Sequence, residues 1–196
     1  MGRPREFDVE MALESALKQF WRHGYEGTSL ADLTEAMGIT RPSLYATFGN
    51  KEDLFIKVIE RYGLDHTAYV REALHQPTAR AVAEYLLRSA ADAQTNPGYP
   101  RGCLELQAAL VCSPEAAPIR ERLSQRRQAA QTALRDRLVR AVSDGDLPPA
   151  AKPADLARFL SLVAQGLAVQ ALDGATRDDL HRAIDTALAG WPMVTA

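Results

Sequence analysis

Three glycines, Gly24, Gly38 and Gly49, each close a short stretch of helical apolar periodicity, and each is followed within a few residues by a side chain suited to start a helix. Asp8 opens the first stretch, whose stripe is Leu13, Ala16, Leu17 and Phe20; Thr28 or Ser29 opens the second, with Leu30, Leu33 and Met37. Such caps accept hydrogen bonds from the free N–H groups of a first turn, while glycine takes the backbone conformation that ends a helix. The third stretch, 41–48, carries Pro42 in its first turn, where a missing N–H does little harm. Asn50 then caps a longer fourth helix, with Asp53 in capping-box register and Leu54, Val58, Ile59 and Tyr62 as its apolar stripe. This punctuation permits short packed helices and leaves no room for a sheet.

The rest of the chain keeps the same period. Sustained alternation and hairpin turns are lacking, and breaks of the Pro/Gly type fall at 76–78, 96–100, 113–114 and 144–149. Between them the pattern predicts helices over 78–94, 103–111, 115–143, 154–172 and 177–191. The expectation is an all-α chain of about nine helices, with a three-helix head at residues 1–52 and a larger helical body at residues 53–196.

Composition excludes several classes of function. The net charge of −2 gives no global attraction to nucleic acid or to acidic membranes. The two cysteines, Cys103 and Cys112, are too few for a disulfide framework or a four-ligand zinc site, and a reduced cytoplasmic setting is expected. The most apolar stretch, 156–172, is interrupted by Arg158, Ser161, Gln165 and Gln170, so it reads as a buried helix and no membrane association is expected. The histidines are scattered, and no nucleophile elbow, phosphate-binding glycine loop or zinc-protease motif occurs. No enzyme, cofactor or metal is expected.

Function is carried instead by 30–48, two short helices joined by a tight turn containing Gly38. That is the spacing of a helix-turn-helix, whose second helix enters the major groove of DNA. Thr28 and Ser29 offer hydroxyls and N–H groups at a helix start, where a phosphate can sit. Thr40, Arg41, Pro42, Ser43, Tyr45 and Thr47 lie on or beside the reading helix, and Leu44 and Phe48 fasten it to the core. Arg41 is the only side chain there that can grip guanine O6 and N7 together. Lys51, in the first turn of helix four, is within reach of a backbone phosphate.

The wording of this region, from Gly24-Tyr25-Glu26-Gly27-Thr28-Ser29-Leu30 through Met37-Gly38-Ile39-Thr40-Arg41-Pro42-Ser43-Leu44-Tyr45 to Phe48-Gly49-Asn50-Lys51-Glu52-Asp53-Leu54, resembles the TetR/AcrR family of transcriptional regulators. Thr47 and Pro42 depart from common choices in that family, which bears on base preference. The resemblance implies a repressor that binds a palindromic operator as a homodimer and is released by a small-molecule effector. A helical ligand-binding protein or enzyme that has lost DNA binding, or an activator, are the alternatives. Tyr85, Cys103, Gln107 and Gln165 are the polar candidates for an effector pocket. Cys103, at a helix start after a proline-rich loop, is also a candidate reactive thiol.

Two expectations concern charge and assembly. Residues 1–53 hold six basic side chains, with Arg3 and Arg5 in a terminal arm, against nine acidic ones, an unusual excess for a DNA-binding head. The helix over 154–172 shows two apolar stripes, one through Leu156, Leu160, Val163 and Leu167 and one through Phe159, Leu162, Gly166 and Val169. One stripe can face the chain's own core and the other a second copy.

Overall fold

The computed structural model describes residues 7–110 and 113–192, and every regular element among them is helical. The head is formed by α1 (Val9–His23), α2 (Leu30–Met37) and α3 (Arg41–Phe48), followed by α4 (Lys51–Asp65). The caps fall where the sequence puts them. Asp8 accepts from the N–H groups of Glu10 and Met11, Ser29 and Asn50 form capping boxes with Asp32 and Asp53, and Gly38 takes the left-handed conformation at φ 64°.

The body comprises α5 (Ala68–Ala73), α6 (Ala79–Gln94), α7 (Leu104–Leu110), a 3-10 turn at Pro114–Ala116, α8 (Ala117–Ser143), α9 (Pro153–Leu172) and α10 (Arg177–Ala189). The tenth helix, beyond the nine expected, is α5. No Gly or Pro marks the break at His66 and Thr67. It is held by side chains that take the carbonyls released at the end of α4: Gly63 O accepts from the Thr67 hydroxyl and from Arg71 Nη1. None of the described helices is long and apolar enough to cross a membrane.

Two apolar cores divide the molecule. One joins α1 to α4 and is built from large side chains, with Phe20, Trp21, Phe48, Phe55 and Tyr62 buried together. Phe20 meets Phe55 edge-on at 4.9 Å, and Trp21 meets Tyr62 likewise at 4.9 Å. This core takes in Leu104 and Ala108 of α7 and Ile119 and Leu123 of α8, so its packing extends well past residue 52, where the head was expected to end. The other core lies among α6, α8, α9 and α10 and is rich in alanine and leucine.

Candidate nucleic-acid interface and regulatory cavity

α3 divides its side chains sharply. Leu44 and Phe48 are buried in the head core, while Arg41, Pro42, Tyr45 and Thr47 are exposed, Tyr45 by 51% of its surface. The Thr40 side chain caps the helix by accepting from Ser43 N, and the two hydroxyls sit 2.9 Å apart. α3 thus presents one continuous solvent face carrying a guanidinium, a phenol and hydroxyls, held rigid from behind by two core anchors. Lys51 stands at the adjoining helix start with its ammonium 4.5 Å from the centre of the Tyr25 ring. Burial there draws the ammonium below the ordinary lysine value, and Glu26 and Asp32 oppose that shift.

The start of α2 differs from the expectation. Thr28 is fully buried and its hydroxyl donates to Gly24 O at 2.7 Å, so this side chain staples the loop and does not face a phosphate. The Ser29 N–H is also engaged, donating to Asp32 Oδ2 at 2.8 Å. The Ser29 hydroxyl remains at the exposed surface. Arg3 and Arg5 lie outside the described residues.

The acidic excess of the head is absorbed locally. Asp8, Asp32 and Asp53 cap helices, where the positive end of the helix dipole offsets their charge. Glu10 and Glu14 pair with Arg61, and Glu14 also with Lys18. Glu26 accepts from both the N–H and the hydroxyl of Ser113, which lowers its carboxyl below the ordinary value of 4.5. None of these six carboxylates belongs to α3, whose own residues include no acid.

A cavity of about 360 Å³ opens in the body between α5, α6, α7, α8 and α9. Cys103 and Gln165 line it, as expected; Tyr85 and Gln107 do not. Tyr85 is half-buried against the body core, donating its hydroxyl to Glu72, and Gln107 Nε2 donates to Arg101 O at 3.0 Å. Side chains that sequence reasoning passed over line the cavity in their place, notably Tyr69, Arg71, Gln94, Glu105, Arg126 and Arg127. Gln94 had a signal: it continues the buried Leu87 and Ala91 stripe of α6, and a polar residue there is out of place unless it has a partner. On α8, Arg122 and Arg135 are exposed and ion-paired with Glu60 and Asp136. Arg126 and Arg127, by contrast, line the cavity, and Arg137 is buried, donating to the carbonyls of Leu74, Gln76 and Pro77.

Cys103, the candidate reactive thiol, lines the cavity. Burial pushes it above the ordinary value of 9.0, outweighing the hydrogen bonds that favour the thiolate, among them one from the Tyr62 hydroxyl. The helix start behind it, the seven-residue α7, does not reverse this. Cys112 lies outside the described residues.

Residues 12–58 match the family described as bacterial regulatory proteins, tetR family, and residues 77–187 match a tetracyclin repressor-like C-terminal domain. The chain belongs to the TetR family. TetR-family proteins regulate transcription by binding DNA and are not enzymes, and this chain is accordingly a DNA-binding transcriptional regulator. Among curated TetR-type relatives, the HTH-type transcriptional repressor ComR of Escherichia coli K12 is 37% identical, over 97% of this chain and 92% of its own length. The repressor BdcR of the same organism is 31% identical over 99% and 93%. Among solved structures, the TetR regulator CifR, as a cysteine mutant complexed with 26 bp operator DNA, is 43% identical with a TM-score of 0.92, covering 97% of this chain and all of that one.

Proposed function

We propose that this TetR-family chain is a repressor that binds a palindromic operator as a homodimer, and that occupation of the cavity by a small molecule releases it. One observation carries the reading: α3 exposes Arg41, Tyr45 and Thr47 while Leu44 and Phe48 lock its orientation. Arg41 is assigned to a base edge; Ser29, Thr40, Ser43, Tyr45, Thr47 and Lys51 are assigned to phosphates and neighbouring groove contacts, and Pro42 fixes the helix start. The operator complex of CifR and the repressor names of ComR and BdcR support this reading.

The dimer is assigned to α9, with α10 beside it. Phe159, Leu162, Val169 and Leu172 are exposed along one side of α9, and Gly166 among them has open space where a Cβ would stand. A two-fold axis along this stripe would set two reading helices on half-sites about 34–36 Å apart, or a multiple of that. Residues 1–52 serve as the reading head and residues 53–196 as the effector-binding and dimerising body. Genomic-fragment selection with the purified protein tests the whole reading: a palindrome enriched by the wild type and lost with Arg41→Ala is expected. Enrichment of no common sequence would leave a ligand-binding protein without a DNA target.

A further inference from the structure

The body cavity has an unbalanced wall. Arg71 from α5, exposed at its edge, and Arg126 and Arg127 from α8 line it, and Glu105 is the one carboxylate among its described lining residues. Arg126 already holds that carboxylate, with Nε and Nη2 each 2.8 Å from Glu105 Oε1. Arg71 and Arg127 have neutral partners instead: Arg71 Nη1 donates to Gly63 O at 3.2 Å, and Arg127 Nη1 to the backbone O of Glu105 at 3.0 Å. The wall therefore carries two guanidinium charges without a counter-charge on the cavity, in a chain whose net charge is −2.

A second, separate irregularity is Gln94. It is only 5% exposed, its Nε2 donates to Ala164 O at 3.3 Å, and its Oε1 accepts from no group among the described residues. The remaining wall is largely apolar, through Leu86, Leu106, Leu134 and Ala168. Guanidinium groups form their strongest contacts with carboxylates, through paired charge-assisted hydrogen bonds. A buried acceptor without a partner favours a ligand that brings a donor.

We propose that the cavity takes a small organic monocarboxylate with an apolar body: Arg71 and Arg127 hold the carboxylate, and a hydroxyl or amide N–H on the body satisfies Gln94. The inference rests on the reading of the cavity as the effector site and names the chemistry that site selects. It also supplies a route to the head. Gly63, whose carbonyl Arg71 holds and whose face Arg126 crowds, lies in the last turns of α4, and Lys51 stands at that helix's first turn. An anion that draws Arg71 toward itself loosens the end of α4, and the released form, having the freer guanidinium, binds the anion better. That difference in affinity is what shifts the population.

The test uses the full-length protein with three matched series of about C4 to C8 length, straight-chain and phenyl-substituted: free carboxylates, their primary amides and their methyl esters. Melting temperature and operator release are measured for each. The carboxylates are expected to act at about tenfold lower concentration than the amides and esters. That preference should disappear in Arg127→Gln, with operator affinity in the absence of ligand unchanged. Arg127→Lys keeps the charge and guards against a folding artefact, and it should keep part of the preference. Among the carboxylates, ω-hydroxy forms should outperform their plain counterparts in wild type, and Gln94→Leu should reverse that order. Equal action by amides or esters overturns the carboxylate assignment while leaving the effector reading standing. Carboxylates acting undiminished on Arg127→Gln and Arg71→Gln place them elsewhere and overturn the site. If no compound of any series shifts the melting temperature, the assignment is overturned, and operator binding by the unliganded protein, measured in the same assay, shows separately whether the DNA-binding reading survives.

Discussion

The two cores of this molecule solve opposite problems. The head core interlocks Phe20, Trp21, Phe55 and Tyr62 edge to face and fills its volume with large rings. The body core draws on Ala79, Ala83, Ala91, Ala157 and Ala171, which bring helices close but reach little distance between them, and a cavity opens beside it. A reading helix must hold its side chains in one register on a duplex, so its support is stiff. The body, proposed above to hold a guest, leaves part of its packing unfilled. Rigidity and responsiveness thus follow from side-chain size.

Truncation should expose the contrast most strongly. Phe55→Ala removes a ring with 1% exposure from the head and is expected to cost about 3–5 kcal/mol, whereas Leu134→Ala, on the cavity wall, should stay near the lower end of about 2–5 kcal/mol. Urea unfolding of both variants measures this, and equal losses would remove the distinction between a filled and a partly empty core. Next in size is the exposed stripe of α9. Leu162→Glu, at a side chain 61% exposed, should leave the monomer folded but weaken dimerisation by about 2 kcal/mol. Sedimentation should then show monomer where the wild type is dimeric; an unchanged dimer moves the interface off α9.

The head's working face should respond differently from its core. Arg41→Ala should lower operator affinity by about 1–3 kcal/mol and relax preference at one position per half-site, with little change in melting temperature. Lys51→Ala should weaken all sequences alike and flatten the dependence of log affinity on log salt by about one unit. If instead Lys51→Ala alters sequence preference, its packing over Tyr25 orients the reading helix more than it holds a phosphate. The smallest effect belongs to the seam between the two regions. Glu26, in the head, accepts two hydrogen bonds from Ser113, in the body, and its carboxyl lies below 4.5 in the folded chain. A depressed carboxyl contributes stability that is present above its unfolded value and disappears as pH falls through the folded one. Glu26→Gln should therefore melt slightly lower than wild type at neutral pH, with the two curves converging as acid protonates Glu26. Parallel curves down to about pH 3 would show that the seam adds nothing.

Much of the architecture was written in local chemistry. Caps at Asp8, Ser29, Thr40 and Asn50, stops at Gly24, Gly38 and Gly49, and the i, i+4 pair Leu44 and Phe48 are each decided within one or two helical turns. They determined the all-α fold, the helix-turn-helix and the outward face of α3, because hydrogen-bond capping and 3.6-residue periodicity depend on near neighbours alone. The break before α5 escaped this reading, since the groups that hold it are side chains returning to Gly63 O and leave no Gly or Pro behind.

What neighbours in sequence do not decide is which polar groups meet across helices. Thr28 reads as a free hydroxyl until the loop folds it inward onto Gly24 O. Tyr85 and Gln107 are as polar and as well placed along their helices as Gln94 and Gln165, yet the packing of α6, α7 and α9 leaves the first pair half-buried away from the cavity and puts the second on its wall. Cys103 sits at a helix start, but packing half-buries its thiol, and desolvation raises its pKa despite the hydrogen bonds it accepts. Arg126 and Arg127 look like surface charge on α8 until α7 packs against them and its Glu105 accepts from both. By itself the sequence determined the helices and the outward face of α3; only the packing of one helix on another decided the cavity, its surplus of guanidinium charge and the raised pKa of its thiol, because solvation and charge pairing depend on distances that the chain sets only once it has folded.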